Sequence, residues 1–321
     1  MGVGIRSDDP LVLGQGSIGA GFPVLTAEDA LGPVAVPPTT AAAPASGRTV
    51  WRQLGWGFWV AMGICVLWIL VAILANILPL KNPNAIDVTD FSGAVNSAHP
   101  LGADQLGRDT LSRVIYGSRV SLIVGFASIA MGLVVGGVLG LVAGYFRGWI
   151  DEVLGVISNV FLSFPYLVLG LVMVTFLGHS IFVIILIIAT VAWPLLYRVV
   201  RASTIEYAQR EYVLAAQALG SKPSRILRTL LLPDVVPSAI TYGLVGVALA
   251  IVAEGALSFL GQSVAAPTAT WGNMIAEGSG LLPSYVPLLL APSIAMFSFV
   301  LPINFIGDRL RAVLDVRQGV I

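Results

Sequence analysis

Apolar positions along this chain gather into runs long enough to cross a lipid bilayer, and polar positions gather between the runs. A hydrocarbon core about 30 Å thick takes roughly 20 apolar residues in helical form. Runs of that length lie near residues 59–78, 121–143, 153–177, 181–197, 235–260 and 286–306, so the pattern predicts an all-α membrane protein with six transmembrane helices. The second and third runs are joined by Gly144-Tyr145-Phe146-Arg147-Gly148-Trp149-Ile150-Asp151-Glu152, a tight turn rich in glycine and charge, and the third and fourth by little more than Gly178, His179 and Ser180. Two connections are long and polar: residues 81–118 before the second run, and residues 198–234 between the fourth and fifth.

Composition agrees with lipid as the solvent. The chain is 57% hydrophobic and 11% charged, where a soluble domain carries about 25% charged residues to cover its surface. Its 17 basic and 17 acidic residues cancel, so no global field favours a nucleic acid as partner. The single cysteine, Cys65, excludes an intrachain disulfide and a cysteine-based metal cluster. Inside an apolar run it reads as a small packing residue.

Lysine and arginine placement sets the orientation of such a chain. With a cytoplasmic N-terminus, Arg6, Arg48, Arg52, Arg147, Arg198, Arg201, Arg210, Lys222, Arg225, Arg228, Arg309, Arg311 and Arg317 fall inside, against Lys81, Arg108, Arg113 and Arg119 outside. Both termini and the 198–234 connection are therefore expected in the cytoplasm, and residues 81–118 outside it. Trp51, Trp56 and Trp59 fit an interfacial aromatic belt. Residues 1–50 are rich in Gly, Ala, Pro, Thr and Val, and no helical or strand period survives the prolines, which predicts a disordered cytoplasmic tail. A start site placed too far upstream, with no role for the tail, is the alternative. The first uninterrupted apolar core begins near Trp56, so no cleaved secretory signal is expected.

Several positions inside the spans stand out. Gly132, Gly136, Gly140 and Gly144 recur every four residues on one face of the second helix, a seam for close approach of another helix or subunit. Pro165, Pro194 and Pro302 interrupt the third, fourth and sixth spans; each removes a backbone donor and kinks its helix, either to line a moving path or as a simple packing bend. Glu254 is the one acidic residue deep in a span. A central carboxylate costs about 2.5 to 3.5 kcal/mol on insertion scales, so it needs a polar partner or an aqueous cavity. It has no ionisable counterpart in neighbouring spans, as a proton relay would require.

The connection before the second span reads His99-Pro100-Leu101-Gly102-Ala103-Asp104-Gln105-Leu106-Gly107-Arg108-Asp109-Thr110-Leu111-Ser112-Arg113. His99, Asp104 and Asp109 straddle glycines and a helix start instead of sharing a face, which argues against a metal site. Asp109 stands four residues before Arg113, the spacing of a helical ion pair, and an amphipathic helix leading into the membrane is expected. The cytoplasmic stretch 211–233 is the most informative. Leu214-Ala215-Ala216-Gln217-Ala218-Leu219-Gly220 is followed by nine residues and then Leu230-Leu231-Leu232-Pro233. Ala215, Ala216 and Leu219 predict a compact apolar face on a short helix, Gly220 a break, and Pro223 the first turn of a second short helix. The result is a shaped knob offered to something soluble.

From about His99 to Arg317 the chain resembles the C-type transmembrane subunit of dipeptide and oligopeptide importers of the ATP-binding-cassette class. Three blocks carry the resemblance: His99-Pro100-Leu101-Gly102 with Gly107-Arg108-Asp109 and Leu111-Ser112-Arg113; the Leu214 to Pro233 stretch; and Leu257-Ser258-Phe259-Leu260-Gly261, Trp271-Gly272-Asn273-Met274 and Gly307-Asp308-Arg309-Leu310-Arg311. In the family's cytoplasmic motif, Glu-Ala-Ala is followed by three residues, Gly, nine residues, Ile, one residue and Leu-Pro. Ala215, Ala216, Gly220, Leu232 and Pro233 fall in register, while Leu214 replaces the glutamate and Leu230 the isoleucine. Glu211, one turn earlier, is the nearest substitute carboxylate.

The resemblance implies a type I importer permease fold in the bacterial cytoplasmic (inner) membrane, with a permease core over 119–310 and a coupling loop over 198–234. The first helix occupies 51–80 and a cytoplasmic tail 311–321. It implies that Glu211, Leu214, Ala215, Ala216, Leu219, Gly220, Leu230 and Pro233 couple to two ATP-hydrolysing subunits, and that a second homologous permease completes the path. An extracytoplasmic binding protein would deliver the substrate. Asp104, Arg108, Asp109, Arg113, Trp271 and Asn273 are then candidates for touching the binding protein, and Glu254, Pro165 and Pro194 for lining or gating the path. No Gly-x-x-x-x-Gly-Lys-Ser/Thr loop occurs in the chain, so ATP and Mg are expected on the partner ATPases and no cofactor on this chain. No catalytic residue or metal ligand is assigned, because His179 beside Ser180 lacks the orienting group and oxyanion hole of a hydrolase. Within this class, nickel or another small solute is the alternative substrate to a peptide. An ion-coupled carrier is disfavoured, since it would show paired intramembrane charges in repeated segments.

Overall fold

The computed structural model describes residues 54–88, 95–280 and 285–318; Trp51 and the expected tail over residues 1–50 lie outside the described residues. Ten α-helices run through these residues. They are α1 (Gly55–Leu74), α2 (Thr110–Phe146), α3 (Gly148–Ser163), α4 (Tyr166–Leu177), α5 (Ile181–Tyr207), α6 (Glu211–Ala218), α7 (Pro223–Ile226), α8 (Leu232–Phe259), α9 (Trp271–Ser279) and α10 (Pro287–Gln318). A π-helical turn over Leu227–Leu231 joins α7 to α8 without a break.

Five of these segments are unbroken and apolar enough to cross a membrane, and α3 with α4 makes a sixth if the bent pair counts as one span. The expected kink at Pro165 is a full break: α3 and α4 meet at 85°. Phe164 is extended and Pro165 follows at ψ 122°, because a residue before proline is driven out of the helical region and the ring itself cannot donate. At 1.5 Å per residue neither arm alone reaches across a core of about 30 Å.

The expected glycine seam packs within the chain. The face carrying Gly132, Gly136, Gly140 and Gly144 lies against α5, and a methyl group on Gly136 would stand 2.4 Å from the Trp193 carbonyl oxygen. On Gly144 it would stand 2.6 Å from Thr204. Missing side chains thus let the two backbones touch, and dispersion over the contact replaces the hydrophobic drive that lipid does not supply. α5 is the most enclosed span, and α8, α10 and α1 pack in turn around the α2–α5 pair. The shared core includes Ile184, Ile187, Ile251, Leu257, Phe299 and the fully buried Trp271. Cys65 lies in this core, as a small packing residue should.

α2 begins at Thr110 and continues unbroken into the membrane, so the amphipathic helix expected before the second span is its own first turns. Those turns are buried instead of two-faced. α10 likewise runs through the start of the expected C-terminal tail to Gln318.

Candidate functional site

On the side of the bilayer where 198–234 lies, α6 is a two-turn helix that ends in a left-handed glycine. Gly220 adopts φ 76°, a conformation that costs a residue with a Cβ about 1 to 2 kcal/mol. Its amide donates to the Gln217 carbonyl at 2.9 Å, and the Ser221 amide to the Ala216 carbonyl at 3.0 Å. These two bonds form a Schellman cap. Pro223 then takes the first position of α7, as expected.

The expected second short helix is a correction: α7 runs through the π turn into the fifth span. Pro233 explains the turn. A proline there has no amide to give and its ring crowds the carbonyl one turn back; the wider turn opens the ladder at that point, with the Leu232 amide reaching back to Leu227.

α6 sits on a small apolar cluster of Val213, Ile226 and Leu231, with Ala216, Leu230, Leu141, Tyr145 and Tyr207 around it. Val213 and Ala216 therefore face the protein, Leu214 and Ala215 face out, and Leu219 is 87% exposed. The outward apolar face is made by Leu214, Ala215 and Leu219, and Ala216 belongs to the seat. Glu211 is exposed at the first turn, while Pro233 lies exposed beyond the π turn. The Tyr212 hydroxyl donates to the Asp234 carboxylate at 2.6 Å, tying α6 to the base of α8. Burial, together with that carboxylate, pushes the Tyr212 phenol above its ordinary range. The knob is thus anchored directly to a span.

At the other end of the bundle, the residues expected to meet a binding protein are turned inward. Asp104, Arg108, Asp109 and Arg113 are all at most 6% exposed. Asp104 accepts from the Leu106 and Arg108 amides, both at 2.9 Å, and from Arg108 Nε at 2.6 Å, with Arg113 Nε at 3.4 Å. Arg108 and Arg113 each reach Glu277 of α9 at 3.2 Å. The expected Asp109–Arg113 pair does not form. Asp109 caps α2 by accepting from the Ser112 amide at 2.8 Å and the Ser112 hydroxyl at 2.6 Å, and it holds His99 Nδ1 at 3.0 Å. A capping carboxylate must face the helix's free amides, so it cannot also reach along the helix flank. Among the described residues no cluster of metal-ligating side chains occurs.

Trp271 is also buried, and Asn273 partly so. Trp271 donates its Nε1 proton to the Val114 carbonyl at 3.1 Å and lies edge-on to Trp68, centroids 5.1 Å apart. Asn273 half-buries its amide and donates to the Val264 carbonyl at 3.0 Å. Gly272 follows Trp271 because a methyl there would stand 2.6 Å from the Gly255 Cα. In this arrangement the polar cluster and Trp271 are packed into the end of the bundle opposite 198–234.

Glu254 is fully buried in α8. Its Oε1 accepts from the hydroxyls of Ser258 at 2.8 Å, Ser263 at 2.7 Å and Thr270 at 2.9 Å. The Thr270 hydroxyl in turn accepts from the Asn273 amide as the cap of α9. The carboxylate therefore fixes the loop between α8 and α9 by hydroxyl pairing. α9 is held at its start through Thr270 and near its end through Glu277. Sequence reasoning missed Glu277 and Thr270, whose signal lies only in three-dimensional proximity to residues distant in the chain.

A cavity of about 620 Å³ opens between α2, α5 and α8. Its wall is apolar except for Tyr166, Arg198 and Tyr242. Tyr166 and Leu195, the residues directly after Pro165 and the buried Pro194, line this space, while the two prolines themselves and Glu254 do not. Arg198 also donates to Asn159 of α3 at 2.8 Å, and Arg201 makes a forked ion pair with Asp151 of the same arm. His179 and Ser180 both make hydrogen bonds at the start of α5. His179 Nδ1 pairs with the Ser263 carbonyl at 3.0 Å, and Ser180 caps α5.

Comparison with known proteins agrees with this architecture. Residues 136–320 match the family model for the binding-protein-dependent transport system inner membrane component. The chain is 33% identical to the glutathione transport system permease protein GsiD of Pectobacterium atrosepticum, over 84% of this chain and 92% of that one. It is equally 33% identical to the dipeptide transport system permease protein DppC of Alkalihalophilus pseudofirmus, over 84% and 90% of the two chains, and to the oligopeptide transport system permease protein OppC of Bacillus subtilis, over 80% and 84%. Among solved structures, an inward-facing form of the MetNI methionine ABC transporter aligns with TM-score 0.54 at 20% identity, covering 63% of this chain and 96% of that one, a likeness of fold. With its bundle of apolar spans, the chain belongs to the family of multi-pass inner membrane components of binding-protein-dependent transport systems.

Proposed function

We propose that this chain forms half of the translocation path of an ATP-driven importer for dipeptides or oligopeptides. A second related permease supplies the other half, two ATP-hydrolysing subunits dock on the cytoplasmic side, and an extracytoplasmic binding protein delivers the peptide. Both termini lie in the cytoplasm on this reading, following the excess of Lys and Arg in the segments that share a side with 198–234. The observation that carries the coupling role is α6: an apolar, outward-facing knob seated on the ends of the spans and tied to α8 by Tyr212 and Asp234. Burial of Leu214 and Leu219 in a partner's groove removes apolar surface from water at about 25 cal/mol per Å². A movement of that partner then reaches the α7–α8 rod directly.

Peptide as cargo rests on the relatives, whose names specify dipeptide, oligopeptide and glutathione transport. ATP and Mg belong to the ATPase subunits, since the chain has no phosphate loop. The test is reconstitution of the complete complex in liposomes. Dipeptides are expected to stimulate ATP hydrolysis only when the binding protein is present; stimulation by nickel complexes and not by peptides would refute the peptide reading.

A further inference from the structure

Beside α6 lies a second feature of the same surface. An open groove of about 440 Å³ is lined by Leu219, Gly220, Lys222, Arg225, Arg228 and Thr229 among others. Lys222, Arg225 and Arg228 are exposed, and none has an ion-pair partner among the described residues. Other arginines of the chain differ: Arg201 is paired with Asp151, Arg210 with Glu206, and Arg311 stacks on the Tyr242 ring. α6 itself carries only one charge, Glu211. The knob is thus nearly uncharged while its flank holds three free cations.

We infer that this groove receives an acidic segment of the ATP-hydrolysing subunit, so that the docking surface is divided into an apolar knob and a cationic flank. This rests on the docking role of α6. Leu219 forms part of the groove wall and is the most exposed residue of the knob, so whatever covers Leu219 meets the three cations as well. A layer of anionic lipid headgroups suits this surface less, because it offers no apolar cover for Leu219 and does not fill a concavity. Exposed charges of one sign act mainly on encounter rate, orientation and partner choice, and their effect is screened by salt. The apolar knob supplies contact energy and the flank selects an acidic partner.

The experiment measures binding of the ATPase subunits to the full-length chain, assembled with its partner permease in nanodiscs, at low and high salt. Lys222→Glu, Arg225→Glu and Arg228→Glu combined are expected to weaken binding about tenfold or more at low salt and to flatten its salt dependence. Leu219→Glu serves as the parallel knob variant, and nanodiscs of wholly neutral lipid serve as the parallel membrane. If the triple reversal leaves binding unchanged while Leu219→Glu abolishes it, the cationic flank is refuted and the docking role of α6 stands. Unchanged binding for both variants refutes both. An effect of the triple reversal seen in anionic nanodiscs and absent in neutral ones assigns the groove to lipid headgroups and overturns the inference.

Discussion

At the scale of single residues, the fold depends on atoms that are absent as much as on those present. Gly136 and Gly137 are adjacent on α2, yet a methyl on Gly136 would meet the Trp193 carbonyl oxygen at 2.4 Å while one on Gly137 meets nothing within 4 Å. Gly136→Ala is therefore expected to lower stability by about 1 to 3 kcal/mol through overpacking, and Gly137→Ala to leave it nearly unchanged. Thermal unfolding in detergent distinguishes the two. Glu254 makes the complementary case. Replacing it with Ala strands three buried hydroxyls and should lower stability by about 2 to 3 kcal/mol. Glu254→Gln keeps one accepting oxygen and should cost less, and equal losses for the two variants would contradict hydroxyl pairing as its role.

At the scale of elements, α9 is clamped to the end of the bundle opposite α6 by two polar contacts. Asp104 is buried and serves two arginines and two amides, so Asp104→Ala is expected to cost about 3 to 5 kcal/mol, as for a broken buried ion pair. Glu277→Ala should cost clearly less, because over a third of its side chain remains in water; chemical denaturation of the two variants reads the difference. The spans, the glycine seam, Gly220 and Pro223 were legible in sequence because period, spacing and proline chemistry are local signals. The buried cluster was not. Charged residues in a connection outside the spans look solvent-exposed, and only the folding of residues 99–113 onto Glu277, more than 160 positions away, turns Asp104, Arg108 and Arg113 inward. The break at Pro165 is hidden for a related reason: a proline announces a lost hydrogen bond, while the angle that follows depends on the packing of the two arms.

At the scale of the molecule, three regions divide the work. One end is fixed by buried ionic and hydroxyl contacts, the middle holds an apolar cavity bordered by broken or proline-bearing helices, and the opposite end presents α6 and its cationic flank. The continuous α7–α8 helix runs from beside α6 past this cavity to Glu254, so under the proposed docking role a displacement of the knob would reach the cavity wall through one helix. The most direct test of that coupling is ATP-driven dipeptide uptake into proteoliposomes containing the complete complex, comparing the wild-type chain with Leu219→Glu. Leu219 is 87% exposed, so the substitution leaves the fold and membrane insertion intact. The predicted result is loss of uptake with normal amounts of inserted, folded permease; undiminished uptake would contradict the assignment of α6 as the coupling element.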